Sequence, residues 1–127
     1  MKFKNMFSPI QIGPMTVKNR FVVPPMGNNF ANSDGTWSDE SVAYYGERAK
    51  GQFGLITIEA TVVHKGAKGG PKKPCLYDDN SIESLKKITD ACHEEGAKVS
   101  IQLQNAGSEG NAKNAGAPIQ AATAIAS

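Results

Sequence analysis

Gln102 closes the run Val99-Ser100-Ile101-Gln102-Leu103, and a polar side chain at the end of a buried-strand pattern is the clearest chemical signal in this chain. An amide presents a donor and an acceptor side by side, which suits a ligand edge offering the complementary pair. Taken alone, such a glutamine more often ties off a strand end on neighbouring backbone, and that reading stays open. Two other strand ends carry comparable groups. Phe21-Val22-Val23 runs into Pro24-Pro25-Met26-Gly27 and then Asn28 and Asn29, while Leu55-Ile56-Thr57-Ile58 runs into Glu59-Ala60. Gly27 and Ala60 are small enough for backbone to approach a flat ligand closely, and the two asparagines could reach a substrate cavity. Glu59 could act as an acid or base, but a structural ion pair or hydrogen bond is the favoured reading, as an ordinary surface role is for Arg20. No residue is singled out as catalytic. Cys75, Cys92, His64 and His93 do not have ligand spacing, so no metal site is expected.

These groups need elements to hold them. Ile10-Gln11-Ile12 and Thr16-Val17-Lys18 flank Gly13-Pro14-Met15 and predict a small hairpin. The buried run at Phe21 stops at Pro24-Pro25, because proline cannot donate to a ladder. Ser38 is placed to cap a helix over 39–50, with Asp39 and Glu40 in its first turn and Val42, Tyr45 and Ala49 as its apolar stripe. Gly51 and Gly54 end it. Asn80 or Ser81 caps a second helix, Asn80 with Glu83 at capping-box spacing, and Ile82, Leu85, Ile88 and Cys92 form its apolar face up to Gly96. Ala97 to Leu103 reads as a third buried strand, and Gly107 to Ser127 as a long irregular loop. The order strand, helix, strand, helix, strand predicts a parallel α/β sheet with right-handed crossovers and functional loops after each strand.

Composition excludes several classes. A net charge of +2 over 127 residues is too small to argue for nucleic acid. Lys65, Lys68, Lys72 and Lys73 cluster, and a solvated loop is favoured over a phosphate site. No stretch is long and apolar enough to span a membrane, and the N-terminus has no signal-peptide run. Free thiols and a cytoplasmic location fit two cysteines in no close-spaced pair.

Six motifs come in fixed order: Phe7-Ser8-Pro9-Ile10, Lys18-Asn19-Arg20-Phe21-Val22-Val23, Pro25-Met26-Gly27, Tyr44-Tyr45-Gly46-Glu47-Arg48-Ala49, Gly54 to Thr61, and Ile101-Gln102-Leu103 with Ala106-Gly107. Together they resemble the N-terminal third of the Old Yellow Enzyme family of NADH:flavin oxidoreductases, nearest the branch of 2,4-dienoyl-CoA and enoate reductases. The resemblance implies the N-terminal part of an FMN-binding TIM (β/α)8 barrel, about three βα units after a short hairpin. It further implies hydride transfer from NADH or NADPH through FMN to an alkene activated by a carbonyl. Pro25, Met26 and Gly27 would then lie against the flavin ring, the Ala60 backbone N–H at its N5/O4 edge, and Gln102 at its pyrimidine end. Asn28 and Asn29 become substrate-facing candidates.

Departures from the family pattern are specific. Asn105-Ala106-Gly107-Ser108 stands where many members have His-Ala-Gly-Arg, and Gly27 where many have a flavin-tuning cysteine or threonine. On this reading residues 1–127 are the first part of one barrel domain, inactive alone. Any iron–sulfur cluster and FAD would belong to a C-terminal part outside the chain. The partner is a small-molecule alkene, with no nucleic acid or membrane, and the parent enzyme is a candidate homo-oligomer. A free-standing α/β binding module derived from such an enzyme is the alternative; a different barrel enzyme of the dihydroorotate type is a third.

Overall fold

In the computed structural model, which describes residues 3–123, the chain opens with the expected hairpin: β1 (Ile10–Ile12) pairs antiparallel with β2 (Met15–Val17). Gly13 turns it at φ 55, a region that residues with a Cβ avoid. The main sheet follows, with β3 (Val22–Val23), β4 (Leu55–Val62) and β5 (Lys98–Gln104) parallel and in that spatial order. Helices α1 (Asp39–Lys50) and α2 (Ile82–Glu94) supply the crossovers.

Strand alternation decides which face the helices cover. Val23, Ile56 and Ile58 pack with Tyr45, Ala49, Ile88 and Cys92 into one core, flanked by Val99 and Ile101. Ile56, Ile58 and Ile88 are fully buried there, each contributing about 1.5–3 kcal/mol. The opposite face carries Val22, Leu55, Thr57, Ser100 and Gln102 in register. Among the described residues nothing covers it: Val22 is 48% exposed, and Gln102 is exposed too. β5 is therefore not the buried strand its sequence suggests; only its helix-facing alternate residues are packed.

Ser38 caps α1 as expected, accepting from the Ser41 N–H at 3.2 Å. The left-handed residue after α1 is Gln52 at φ 68, whereas Gly51 has an ordinary negative φ. Gly54 is needed instead for close approach, since a Cβ there would lie 2.7 Å from both Asn19 Oδ1 and Val17 Cγ1. At α2 the expected caps are absent. Asp78 caps a 3-10 turn over Asp79–Ser81, accepting from the Asn80 N–H, and Ser81 is already helical with no capping bond. Ser81 donates instead to the Cys75 carbonyl, which pins the strand-end loop to the helix. Ile82 is 55% exposed, so Ile88 and Cys92 with half-buried Leu85 make the actual stripe. Gly96 ends the helix at φ 72, as its sequence position requires.

β4 runs four residues past its apolar sequence signal because a loop segment pairs with its end. The Val62 N–H donates to Pro74 O and the Leu76 N–H to Val62 O, both at 2.8 Å. That pairing also draws in the lysine loop. Lys65 and Lys72 are exposed, but Lys68 is buried and donates to Ser33 O, and Lys73 is half-buried. The tail is more ordered than its composition suggests: a 3-10 turn over Gly107–Glu109 leads to α3 (Ala112–Ala115), one turn capped by Asn111. Residues 124–127 of that tail, and Met1 and Lys2 of the N-terminus, lie outside the described residues. Cys75 and Cys92 are free and buried, and no described helix is long and apolar enough to cross a membrane.

Candidate functional site

The site is organised by an irregularity in the β4–β5 ladder. Ile58 is registered on Ile101 and Thr61 on Leu103, so Glu59 and Ala60 together oppose Gln102 alone. Two residues against one is a β-bulge, which turns the strand and leaves backbone groups outside the ladder. It brings the two most suggestive sequence signals, Glu59-Ala60 and Gln102, side by side at the C-terminal ends of the parallel strands. That is where sheets of this class keep their sites.

Beneath the bulge the structure is anchored from α1. The buried Tyr45 hydroxyl accepts from the Glu59 N–H at 3.0 Å, and burial pushes the Tyr45 phenol up to about 12. Glu59 itself is fully buried. Its Oε2 accepts from the Asn28 N–H at 3.3 Å and lies 4.0 Å from Lys73 Nζ. Its Oε1 has no partner among the described residues, and neither has Asn28 Nδ2. Burial raises the carboxyl's pKa, while the Asn28 N–H and the Lys73 charge pull it back. Glu59 therefore has the ion pair and hydrogen bond expected of it.

The loop after β3 closes the other side. Gly27 is exposed, yet a Cβ on it would fall 2.9 Å from Lys73 Nζ and 3.7 Å from Glu59 Oε2. Pro25 is half-buried and Met26 is 45% exposed. Asn28 turns the chain, its Oδ1 accepting from the Phe30 N–H at 2.9 Å. Asn29 takes φ 59 and its side chain makes no hydrogen bond among the described residues, so it shapes the loop rather than joining the cluster. Gln102 makes no side-chain hydrogen bond among the described residues either, which removes the strand-tying role that its position alone suggested. Arg20 lies at the surface, its Nε donating to Ser8 Oγ at 3.3 Å.

Lys73 is the residue that sequence reading missed. It was grouped with a solvated run, yet Pro74-Cys75-Leu76-Tyr77 follows it immediately. Four such residues inside a glycine- and lysine-rich loop signal a segment pinned to the body of the fold.

A parallel α/β sheet with small, polar and unpartnered groups gathered at its strand C-termini defines the class: an α/β element with its ligand-facing end where the strands finish. Known proteins narrow this. The model of the NADH:flavin oxidoreductase / NADH oxidase family matches residues 5–125. Old Yellow Enzyme from a Pichia species is 34% identical over 95% of this chain and 32% of its own, with a TM-score of 0.88. Its counterpart from Trypanosoma cruzi is 32% identical over 99% of this chain and 36% of its own, with a TM-score of 0.87. A 2-naphthoyl-CoA reductase is 33% identical over 90% of this chain and 17% of its own, with a TM-score of 0.84. The chain thus spans between 17% and 36% of these three structures. It belongs to the NADH:flavin oxidoreductase / NADH oxidase family. Its hairpin and β3-β4-β5 sheet are the N-terminal part of that family's barrel, and the described residues form no closed barrel.

Proposed function

We propose that these residues are the first part of an FMN-dependent oxidoreductase that reduces alkenes conjugated to a carbonyl at the expense of NADH or NADPH. The observation that carries this is the bulge that sets Glu59-Ala60 against Gln102, beside the Gly27 loop, in a chain of this family. When bound, FMN would carry the hydride from the nicotinamide to the alkene's β-carbon, with a proton completing the saturated product and NAD(P)+ left behind. The chain's own residues fit such a group. Gln102 offers a free donor and acceptor to the adjacent N3–H and O2 of the ring's pyrimidine end. Ala60 sits in the bulge with no bulky side chain, so a ring could approach its backbone, where an N–H aimed at the N5/O4 edge would favour accumulating charge. Pro25 and Met26 give the loop rigidity and an apolar surface to lie on the ring, and Gly27 admits close approach. Asn28, with its buried and unpartnered Nδ2, is the better placed of the two substrate-facing candidates.

The reading assigns no catalytic residue to these 127 residues. On this reading the ribityl and phosphate contacts would come from other strands of the family's barrel, since the chain spans between 17% and 36% of the three structures it matches. The complete protein, purified, is expected to be yellow or to take up added FMN, and to oxidise NADH or NADPH when given an enone or enoate. A colourless protein that takes up no FMN refutes the proposal.

A further inference from the structure

We propose that Lys73 serves as the side chain that position 27 lacks, its ammonium standing as a fixed cation and donor on the flavin-facing side of the Pro25–Gly27 loop and favouring the reduced cofactor. The inference rests on the FMN reading above and adds to it the residue that sets the potential.

Three observations carry it. The first is the space at Gly27. A Cβ built there would lie 2.9 Å from Lys73 Nζ, so the ammonium stands beside the place where a side chain at 27 would begin. Gly27 is not among the residues of positive φ, so conformational freedom does not explain glycine at this position. The Lys73 ammonium is the nearest group to a side chain placed there.

The second is that the backbone carrying Lys73 is held. The chain just after Lys73 is anchored three times: Pro74 O accepts from the Val62 N–H, the Cys75 N–H donates to Gly35 O, and the Leu76 N–H donates to Val62 O. Glu59 Oε2 lies 4.0 Å from the ammonium, its one acid within ion-pair distance among the described residues.

The third is the order of the charges. The Lys73 side chain is 25% exposed and that of Glu59 is 0% exposed, so the ammonium is the outer member of the pair. The cation is the more accessible of the two charges beside the loop. Reduction adds negative charge to a flavin, and a preorganised cation in a site shielded from water stabilises that charge more than the oxidised ring.

The test measures the midpoint potential of FMN bound to the complete protein by dye equilibration, together with FMN affinity. Lys73→Met is expected to lose about tenfold of the preference for reduced over oxidised flavin, a shift of about 30 mV downward for a two-electron couple. Lys73→Arg keeps the charge and should stay near wild type. Gly27→Ala keeps the lysine but puts a methyl 2.9 Å from its Nζ, so the ammonium must move off the loop, and the potential should shift in the same direction as in Lys73→Met. An FMN-loaded Lys73→Met protein with the wild-type potential overturns the inference. If Lys73→Met fails to fold or to hold FMN, Gly27→Ala decides, and an unchanged potential there overturns it equally. A wild-type protein that takes up no FMN is a separate outcome: it defeats the functional reading, and this inference with it.

Discussion

Lys73→Met should destabilise the complete protein by an amount that depends on pH. Glu59 is fully buried, and Lys73 Nζ at 4.0 Å is its one ionic partner among the described residues. At that distance the attraction is about 4 kcal/mol for an effective dielectric of about 20. Breaking a fully buried pair by removing one member costs about 3–5 kcal/mol. Lys73 is partly exposed, so water takes over some of its work, and the Asn28 N–H remains. A loss of about 1–3 kcal/mol near pH 8 is the expected result after that discount. The sign of the pH dependence follows from Glu59, whose folded pKa lies above the ordinary 4.5. A group of this kind stabilises the fold below its unfolded value, and that contribution is lost as pH rises through the folded one. Removing Lys73 raises the folded value further, so the variant loses more than wild type over the same window.

Urea denaturation of both proteins from pH 4.5 to pH 8 reads this directly. The gap between them should be small at the acid end, where the carboxyl is protonated in both, and should widen by no more than about 1.4 kcal/mol per pH unit. The pair Glu59→Gln and Glu59→Gln/Lys73→Met completes the cycle. With a neutral amide at 59, removing the lysine should cost only its packing, at every pH. A gap that stays flat across the range, or persists unchanged in the Glu59→Gln background, refutes the electrostatic reasoning.

Gln102→Leu should leave stability nearly unchanged, because the amide is exposed and makes no hydrogen bond within the described fold; FMN affinity of the complete protein should fall by the about 0.5–1.5 kcal/mol of one hydrogen bond, read by flavin fluorescence titration. A stability loss with unchanged affinity would restore the strand-tying role. The 127-residue chain by itself should associate, since β3 and β5 end the sheet with free edges and Val22 and Leu103 are 48% and 62% exposed. Sedimentation showing a monomer with a cooperative melt contradicts this.

Much of the fold was legible because local signals and tertiary packing agreed. Ser38 capped α1, Gly96 stopped α2, and β-branched runs became strands, each for reasons confined to a few neighbouring residues. The misreadings share a different cause. Asp78 rather than Asn80 or Ser81 begins the turn into α2, because Ser81 is committed to the Cys75 carbonyl across a loop. β4 outruns its apolar signal because residues 74–76 pair with its end. β5 looks buried by composition and is half-open, because burial is a property of which neighbours are present, and the chain alone does not announce them.

The site divides along the same line. Gln102, Ala60 and Gly27 could be named from sequence because each ends a strand, and strand ends are locally encoded. What made them one site could not. The bulge adds one residue to β4 relative to β5, and no feature of Leu55–Val62 read alone reveals where the ladder slips. A slip of this kind changes which side chains oppose each other. Without it, Gln102 would face Glu59 alone, and Ala60 would be registered one step further along, on Leu103. Lys73 enters by an equally non-local route, carried in by a loop that pairs with β4, 46 residues after the Gly27 it stands beside. Chemistry here is placed by two pairings that cross the sequence, the β4–β5 slip and the Val62–Cys75 bridge. Substitutions that disturb either pairing should therefore scatter the site while leaving every residue in it unchanged.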